Sequence, residues 1–510
     1  MTGIRHRGQR VTQDLPATGW SIKAPTVASA FKAAFDAAPE ALFCKSTDGK
    51  LSYGEAAAAI HALAEDLRDD VQGRVVALIL PNSPDFLIAY FATLFAGGTP
   101  ALINNGHPEA TIAKLLDGLD IALVLSDRDH QSAPTRLMNN AALTNHAPLA
   151  DADALRDPSA PDDIAAIMFS GGTTGLPKQV PHSNAAIIAT MERGDWGWRT
   201  KPGEIWLPVA PFTHIYGFLM GLTNPIIKSG AVVIPERFHP DVIVDLLANE
   251  GVTIFGGGPP AIYQAVMASE KFATATFPNL RICPGGGAPF PLDVHRRWEA
   301  ATGLKIYEGY GMTEIAPISI NTEAYGVMPG SAGKAVPDTT IEIVDLETGD
   351  RVLPTGETGE IRVKGPHMMT GYTGNPEETQ IALRHGYVYT GDIGTLDADG
   401  FLTITDRKKN VIFVSGFNVF PREIEELLLT HPAVSGACVV ARPHDRSGEV
   451  PVAFVTLRSD TTEDEILEFC RNTLIAYKLP EQVIVVPQMP LTPAGKVDRS
   501  QLQNSLQTQA

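Results

Sequence analysis

From residue 75 onward, short apolar runs alternate with longer stretches that repeat apolar positions at helical spacing. The run at 75–80 reads Val-Val-Ala-Leu-Ile-Leu, and 100–103, 121–125 and 164–169 are similar, each bounded by turn residues. These are buried strands. Between them, 85–96 and 109–116 carry the helical period, and another helix is expected from Ser183. Such alternation predicts an α/β fold built on doubly wound sheets. Residues 127–162 are rich in Ala, Asp, Asn and Pro and read as a connecting region without chemistry. Further strands are expected at 205–209, 231–234, 252–255, 280–283 and 304–307.

The texture changes at about residue 331. Short alternating strands at 340–344, 359–363, 387–389 and 401–404 predict a small β subdomain over 331–405. A charged break at Asp406, Arg407, Lys408, Lys409 and Asn410 is followed by a strand at 411–414, a helix from about Pro421 and enough further pattern for a compact α+β domain. The expected organisation is a large N-terminal domain, 1–406, a hinge at 407–410 and a smaller mobile C-terminal domain, 411–510.

At 510 residues the chain has room for a large folded region and a smaller domain. The formal net charge of −18 argues against a nucleic-acid-binding face. Four scattered cysteines (Cys44, Cys283, Cys438, Cys470) without a C-x-x-C pair suggest neither a zinc site nor a disulfide framework. A reducing, cytoplasmic setting fits. The basic residues before Arg10 lead into a polar stretch, which is no secretory signal, and the apolar stretch 86–95 is too short to span a bilayer. No transmembrane segment is expected.

Candidate chemistry lies where strands end. The strand at 164–169 runs into Ser170, Gly171, Gly172, Thr173, Thr174, Gly175, Leu176, Pro177 and Lys178. Glycines let backbone N–H groups converge on an anion, the hydroxyls add donors, and Lys178 adds charge, so the loop reads as a phosphate cradle. An isolated Gly-rich loop is more often a solvated turn; here the density of donors favours the cradle. It is no Walker loop, because Leu-Pro separates Gly175 from Lys178 and no Ser or Thr follows the lysine. Loops at 211–214, 256–260, 285–288 and 308–314 also end expected strands. Ligands of open α/β sheets bind at such carboxyl ends, so these loops are expected around one cleft.

Taken with Tyr307-Glu-Gly-Tyr-Gly-Met-Thr-Glu314, Tyr389-Thr-Gly-Asp392, Asp406-Arg407 and Pro493-Ala-Gly-Lys496 in the same order, the cradle resembles that of the adenylate-forming superfamily, in its acyl- and aryl-CoA synthetase branch. The resemblance runs from about Ser52 to Lys496. It implies that ATP and AMP are bound by the cradle, by Gly286, Gly287 and Ala288, and by Glu308, Gly309, Tyr310, Gly311, Met312 and Thr313. Tyr310 would stack on adenine, Asp392 would take the ribose diol, and Arg407 would bind ribose or phosphate. Thr173 and Glu314 would be partners of Mg²⁺, since a carboxylate beside a triphosphate needs a cation between them. Lys496 would bind both the acid carboxylate and the α-phosphate. The resemblance further places His214, Gly258, Gly286, Gly311 and Ala316 at an acyl pocket, Ser415, Gly416 and Phe417 at coenzyme A, and the hinge at Lys409. Core packing is the competing reading of Tyr310 and His214; taken singly, Glu314 and Lys496 read as solvated, and Asp392 and Arg407 as turn material.

The activity so implied is an ATP-dependent acid–CoA ligase that forms an acyl-adenylate with release of pyrophosphate and passes the acyl group to the thiol of coenzyme A. Rival readings are a stand-alone enzyme that loads a carrier protein, and a homologue that binds nucleotide without turnover. Peptide-forming relatives place an Asp near His214 that Pro211-Phe-Thr-His lacks, which counts against an amino-acid substrate. Ile315-Ala-Pro-Ile318 suggests an apolar wall, and a medium-chain, aryl or alicyclic acid is expected. Arg193, beside Gly-Asp-Trp, reads as a surface residue, with the second carboxylate of a diacid as the alternative. Gln179 replaces the family's usual Gly, and Gly256-Gly-Gly258 replaces a single glycine; the first is expected to alter loop mobility, the second to widen or reshape the pocket.

Overall fold

A computed structural model describes residues 22–138, 147–170, 176–491 and 497–507, with the backbone alone for 5–6, 10–13 and 507. Two compact units divide the chain. The first holds Met1–Glu342, Arg362–Thr390 and Asp397–Leu402, the second Ile343–Ile361, Gly391–Leu396 and Thr403–Ala510.

In the first unit a six-stranded sheet runs in the order Lys178–Ser183, Ile164–Ser170, Thr99–Leu102, Val75–Ile79, Ile121–Ser126, Thr135–Leu137. Every neighbouring pair is parallel except the first. A five-stranded sheet runs Ile254–Gly256, Ile205–Pro208, Ala231–Val233, Leu42–Lys45, Lys50–Ser52, with only its last pair antiparallel. These are the doubly wound α/β sheets expected. Parallel sheets need cover on both faces, and helices supply it. Pro84–Phe95 is buried along its whole length, which explains its lack of a polar face; Ser83 caps it by accepting the Phe86 N–H at 3.2 Å.

A third sheet holds Cys283–Gly286, Ile306–Met312, Ile315–Ile320 and Lys334–Ala335. Here the structure departs from expectation. The segment read as a loop at 308–314 is largely the strand Ile306–Met312, turning into an antiparallel partner. Likewise 285–286 and 389–392 lie within Cys283–Gly286 and Tyr387–Leu396, and Lys178–Ser183 was missed as a strand altogether. Glycine reads as loop because it has no side chain to pack, yet it lets two backbones close. A Cβ on Gly286 would stand 2.9 Å from the Gly309 carbonyl oxygen, which only glycine permits.

The region 331–405 contributes the short strands Thr339–Val344, Gly359–Lys364, Leu383–Arg384 and Tyr387–Leu396, with Leu402–Arg407 at its end. In the second unit Phe417–Val419, Ile412–Val414, Gly448–Leu457 and Val434–His444 line up in that order, and Gln482–Val485 pairs in parallel with Gly448–Leu457. Helices Pro421–Leu429 and Glu463–Arg471 bury Ile424, Leu428 and Ile466 with the core residues of that sheet. It is an α+β unit. Cys44, Cys283, Cys438 and Cys470 are free and buried, and burial pushes the Cys44 thiol up to about 12.

Candidate functional site

Ser170 ends one strand, Lys178 begins the next, and the two are register partners. Both ends of the cradle are thus held on one rung. Gly171, Gly172, Thr173, Thr174 and Gly175 lie outside the described residues. Lys178 Nζ sits 2.6 Å from Glu378 Oε2 and 4.8 Å from the centre of the Tyr372 ring. Tyr372 in turn donates its hydroxyl to Glu314 Oε1 at 2.7 Å. Burial, and next the Glu314 charge, push the Tyr372 phenol up, so it remains a donor. One chain of contacts therefore joins the cradle lysine to Glu314.

Sequence reasoning missed Tyr372 and Glu378. Gly371 and Gly374, both at positive φ, flank the tyrosine. An aromatic among glycines is also the pattern of Gly309-Tyr310-Gly311, and it was there to be read. Glu378 carried no signal.

Two buried histidines fasten the backbone around Glu314. His182, on the strand that Lys178 begins, has Nε2 2.8 Å from the Thr313 carbonyl oxygen, and His367 Nε2 lies 2.6 Å from that of Pro317. Burial pushes His182 down to about 4 and His367 to about 3; the Arg193 charge adds to the latter. Both are neutral at pH 7, with the proton on Nε2 to serve as donor. The Met369 N–H holds the Glu314 carbonyl at 2.8 Å. Arg193 is no surface residue: it is 1% exposed and donates to the Ala189 carbonyl at 2.7 Å and to Asp338 Oδ2 at 3.1 Å.

Along the strand Ile306–Met312, Glu308 is buried, accepting the Phe290 N–H at 3.3 Å, with His295 Nε2 at the same distance from its other oxygen. Tyr310, Met312 and Thr313 are half-buried and Gly311 is exposed. A Cβ on Gly311 would stand 2.9 Å from that of Ala316, and one on Gly309 3.2 Å from the Ser319 carbonyl oxygen. Gly287, at φ 81°, and Ala288 form an exposed turn after Gly286. His214 is exposed, and its Nδ1 accepts the Tyr216 N–H at 3.2 Å, capping the helix Ile215–Phe218. Gln179 turns aside to the Gly118 carbonyl at 2.8 Å.

The second unit carries Asp392 and Arg407. Asp392 follows Gly391 at φ 68°, and its Oδ1 lies 2.8 Å from Arg407 Nε. The carboxylate is buried and the guanidinium 58% exposed, so a fixed acceptor faces a cation with room to take another anion. Lys409 sits in the 3₁₀ turn Lys408–Asn410. Ser415 and Gly416, both at positive φ, form the two-residue turn between Ile412–Val414 and Phe417–Val419. Phe417 is exposed and stacks on Tyr477 with ring centres 4.5 Å apart. Lys496 lies outside the described residues.

The sequence model of the AMP-binding enzymes matches residues 31–373, and that of the AMP-binding enzyme C-terminal domain matches 423–496. The chain belongs to this adenylate-forming family, in its acyl-CoA synthetase branch. It is 32% identical over 480 residues to a long-chain-fatty-acid–CoA ligase of Bacillus subtilis, covering 84% of this chain and 85% of that one. With a 4-coumarate–CoA ligase of Pinus taeda it shares 31% over 461 residues, 85% of this chain and 86% of the other. Among solved structures, ATP-bound MatB from Rhodopseudomonas palustris superposes with a TM-score of 0.86 at 29% identity, over 94% of this chain and 98% of that one. MenE from Bacillus subtilis, in complex with ATP and magnesium ion, superposes at 0.81 and 25%, over 93% and 98%.

The donor set of this AMP-binding enzyme fits magnesium-bound nucleotide. Among the described residues no three His, Cys, Asp or Glu side chains gather into a cage. A Mg²⁺ carried on phosphates needs only one or two protein carboxylates, and the buried Glu314 carboxylate, held by the Tyr372 hydroxyl, would fit that need.

Proposed function

We propose that this AMP-binding enzyme is an ATP-dependent acid–CoA ligase in which the contact chain Lys178–Tyr372–Glu314 handles the triphosphate. That chain is the observation that supports the residue roles, because it ties the lysine that follows the cradle to a buried carboxylate. A carboxylate oxygen of the acid attacks the α-phosphorus of ATP, and the bond to pyrophosphate breaks. The thiol sulfur of coenzyme A then attacks the acyl carbon, AMP leaves, and the thiol proton passes to solvent. The mixed anhydride makes the second step easy by supplying a good leaving group. Lys178 and the cradle hold the phosphates; Glu314 and Thr173 would hold Mg²⁺, which would offset the charge that develops there. Tyr310, with Gly286 to Ala288, takes adenine. Lys496 bridges the acid and the α-phosphate, His214 gates the thiol route, and Ser415, Gly416 and Phe417 line the path of coenzyme A.

Acid-dependent pyrophosphate release, followed by thioester formation with coenzyme A alone, tests this reading. If pyrophosphate appears but the thioester requires a carrier protein, the carrier-loading reading replaces it. If neither appears across a broad panel of acids, the chain binds nucleotide without turnover. The proposed setting is the cytoplasm, where ATP and coenzyme A are available. No described helix is long and apolar enough to cross a membrane.

Asp392→Ala is expected to weaken ATP binding by about 1–3 kcal/mol, because it leaves the ribose diol unpaired. Calorimetry measures this, and unchanged affinity would refute the ribose role. We also place the division between domains at 407–410, with 1–406 before it and 411–510 after it. If the C-terminal domain turns about Lys409 between half-reactions, Lys409→Pro should trap one arrangement, since proline fixes φ and removes the N–H. Single-turnover pyrophosphate release should persist while transfer of a supplied acyl-adenylate to coenzyme A falls steeply. Survival of both halves would move the turn elsewhere.

A further inference from the structure

The helix that follows His214 carries Tyr216 and, one turn on, Met220. Residues four apart share a helix face. This face is turned to the glycines 256–258. The Tyr216 ring lies 3.5 Å from where a Cβ of Gly258 would be and 3.7 Å from that of Gly286, and its hydroxyl donates to the Pro284 carbonyl at 3.0 Å. Met220, 1% exposed, lies with its Cγ 3.1 Å from where a Cβ of Gly256 would be. Between Leu219 and Thr223 the helix widens into a π turn, a feature often found beside functional sites. The space left by absent side chains at Gly256 and Gly258 is therefore filled by Met220 and Tyr216. Neither glycine faces open space.

We infer that Tyr216 and Met220 form the floor of the acid pocket, and that this enzyme activates short-chain carboxylic acids in preference to medium-chain, long-chain or aryl acids. The inference rests on the ligase reading, which sets the pocket mouth at Gly258, Gly286, Gly311 and Ala316. From Gly258 down to Gly256 is two residues, a span of at most roughly 7 Å and so no more than about five methylenes; the Gly257 N–H, bonded back to the Phe255 carbonyl at 2.9 Å, turns the chain and shortens it. Protein already occupies that depth. A longer tail would have to displace a buried methionine. An aryl ring would have to part Tyr216 from the glycines it rests on and from its hydrogen bond to the Pro284 carbonyl. Both costs fall on the substrate and lower its kcat/KM.

The test measures acyl-adenylate formation, as pyrophosphate release without coenzyme A, for the linear acids from acetate to dodecanoate and for cinnamate. Thioester formation with coenzyme A is read separately for each acid. Butanoate is expected to exceed octanoate in kcat/KM by about tenfold or more, and Met220→Ala should shrink that ratio by about tenfold. The wild-type profile needs no variant, and a thermal melt establishes that Met220→Ala is folded. Octanoate, a longer acid or cinnamate as the best wild-type substrate overturns the inference and leaves the ligase reading standing. A folded Met220→Ala with the wild-type profile also overturns it. Adenylates that follow the short-chain order but never reach coenzyme A overturn the ligase reading and leave the pocket floor intact. If no acid is adenylated, both fall.

Discussion

Replacing Lys496 by alanine is expected to lower acyl-adenylate formation about a hundredfold or more, while a supplied acyl-adenylate still passes its acyl group to coenzyme A within a few-fold of the wild-type rate. The C-terminal family model ends its match on this residue, the lysine of Pro493-Ala-Gly-Lys496. In the first step one anion attacks another, a carboxylate oxygen on a phosphate. The repulsion grows as they close, so a cation between them stabilises the transition state more than the separate reactants. Losing such a preorganised charge typically costs about 3 kcal/mol or more. The second step has no such need, because the acyl carbon of a mixed anhydride is already electrophilic and its leaving group is weakly basic. Rapid-quench single turnovers measure the halves separately. Equal loss in both would sink the assignment, and full retention of the first would remove Lys496 from the chemistry.

Helices and parallel strands were legible because buried elements carry long apolar patterns. The run at 75–80 becomes Val75–Ile79, and the period over 85–96 becomes Pro84–Phe95. The site was harder. Glycines that read as loops at 285–286 and 308–312 lie in strands, since they serve close backbone approach as well as turning. Arg193 read as surface because local sequence cannot see Asp338, which lies 145 residues away and pairs with it. The same distance in sequence hid the contact chain: Tyr372 reaches Glu314 across 58 residues, and Glu378 reaches Lys178 across 200. Order of motifs along the chain identified the family, but it contains no information about which side chains orient those motifs. Nor did the triple glycine disclose what fills it.

His182 and His367 lead to the second large effect, a loss of stability on acidification. Both side chains are buried, at 3% and 0% exposure, and each serves as a neutral donor to a carbonyl on one side of Glu314. Their folded values, about 4 and about 3, lie below the ordinary 6.5 that the unfolded chain would show. As pH falls below that ordinary value the unfolded chain takes up protons that the folded chain refuses. Stability is therefore fully present above pH 6.5 and is lost as pH falls toward the folded values. Each histidine contributes at most about 1.4 kcal/mol per pH unit, so the pair should remove about 4 kcal/mol between pH 7 and pH 5. Carboxylates titrate in the lower part of this range as well, and comparison with variants separates them. His182→Gln and His367→Gln each keep an amide donor for the carbonyl but cannot take up a proton. Urea unfolding at a series of pH values should show the slope above pH 5 reduced by about half in each single variant and nearly flat in the double variant. A double variant that loses stability with acid as steeply as the wild type would mean that these histidines are protonated, or solvated, in the folded protein. In that case the Thr313 and Pro317 carbonyls, and Glu314 between them, are held by something else.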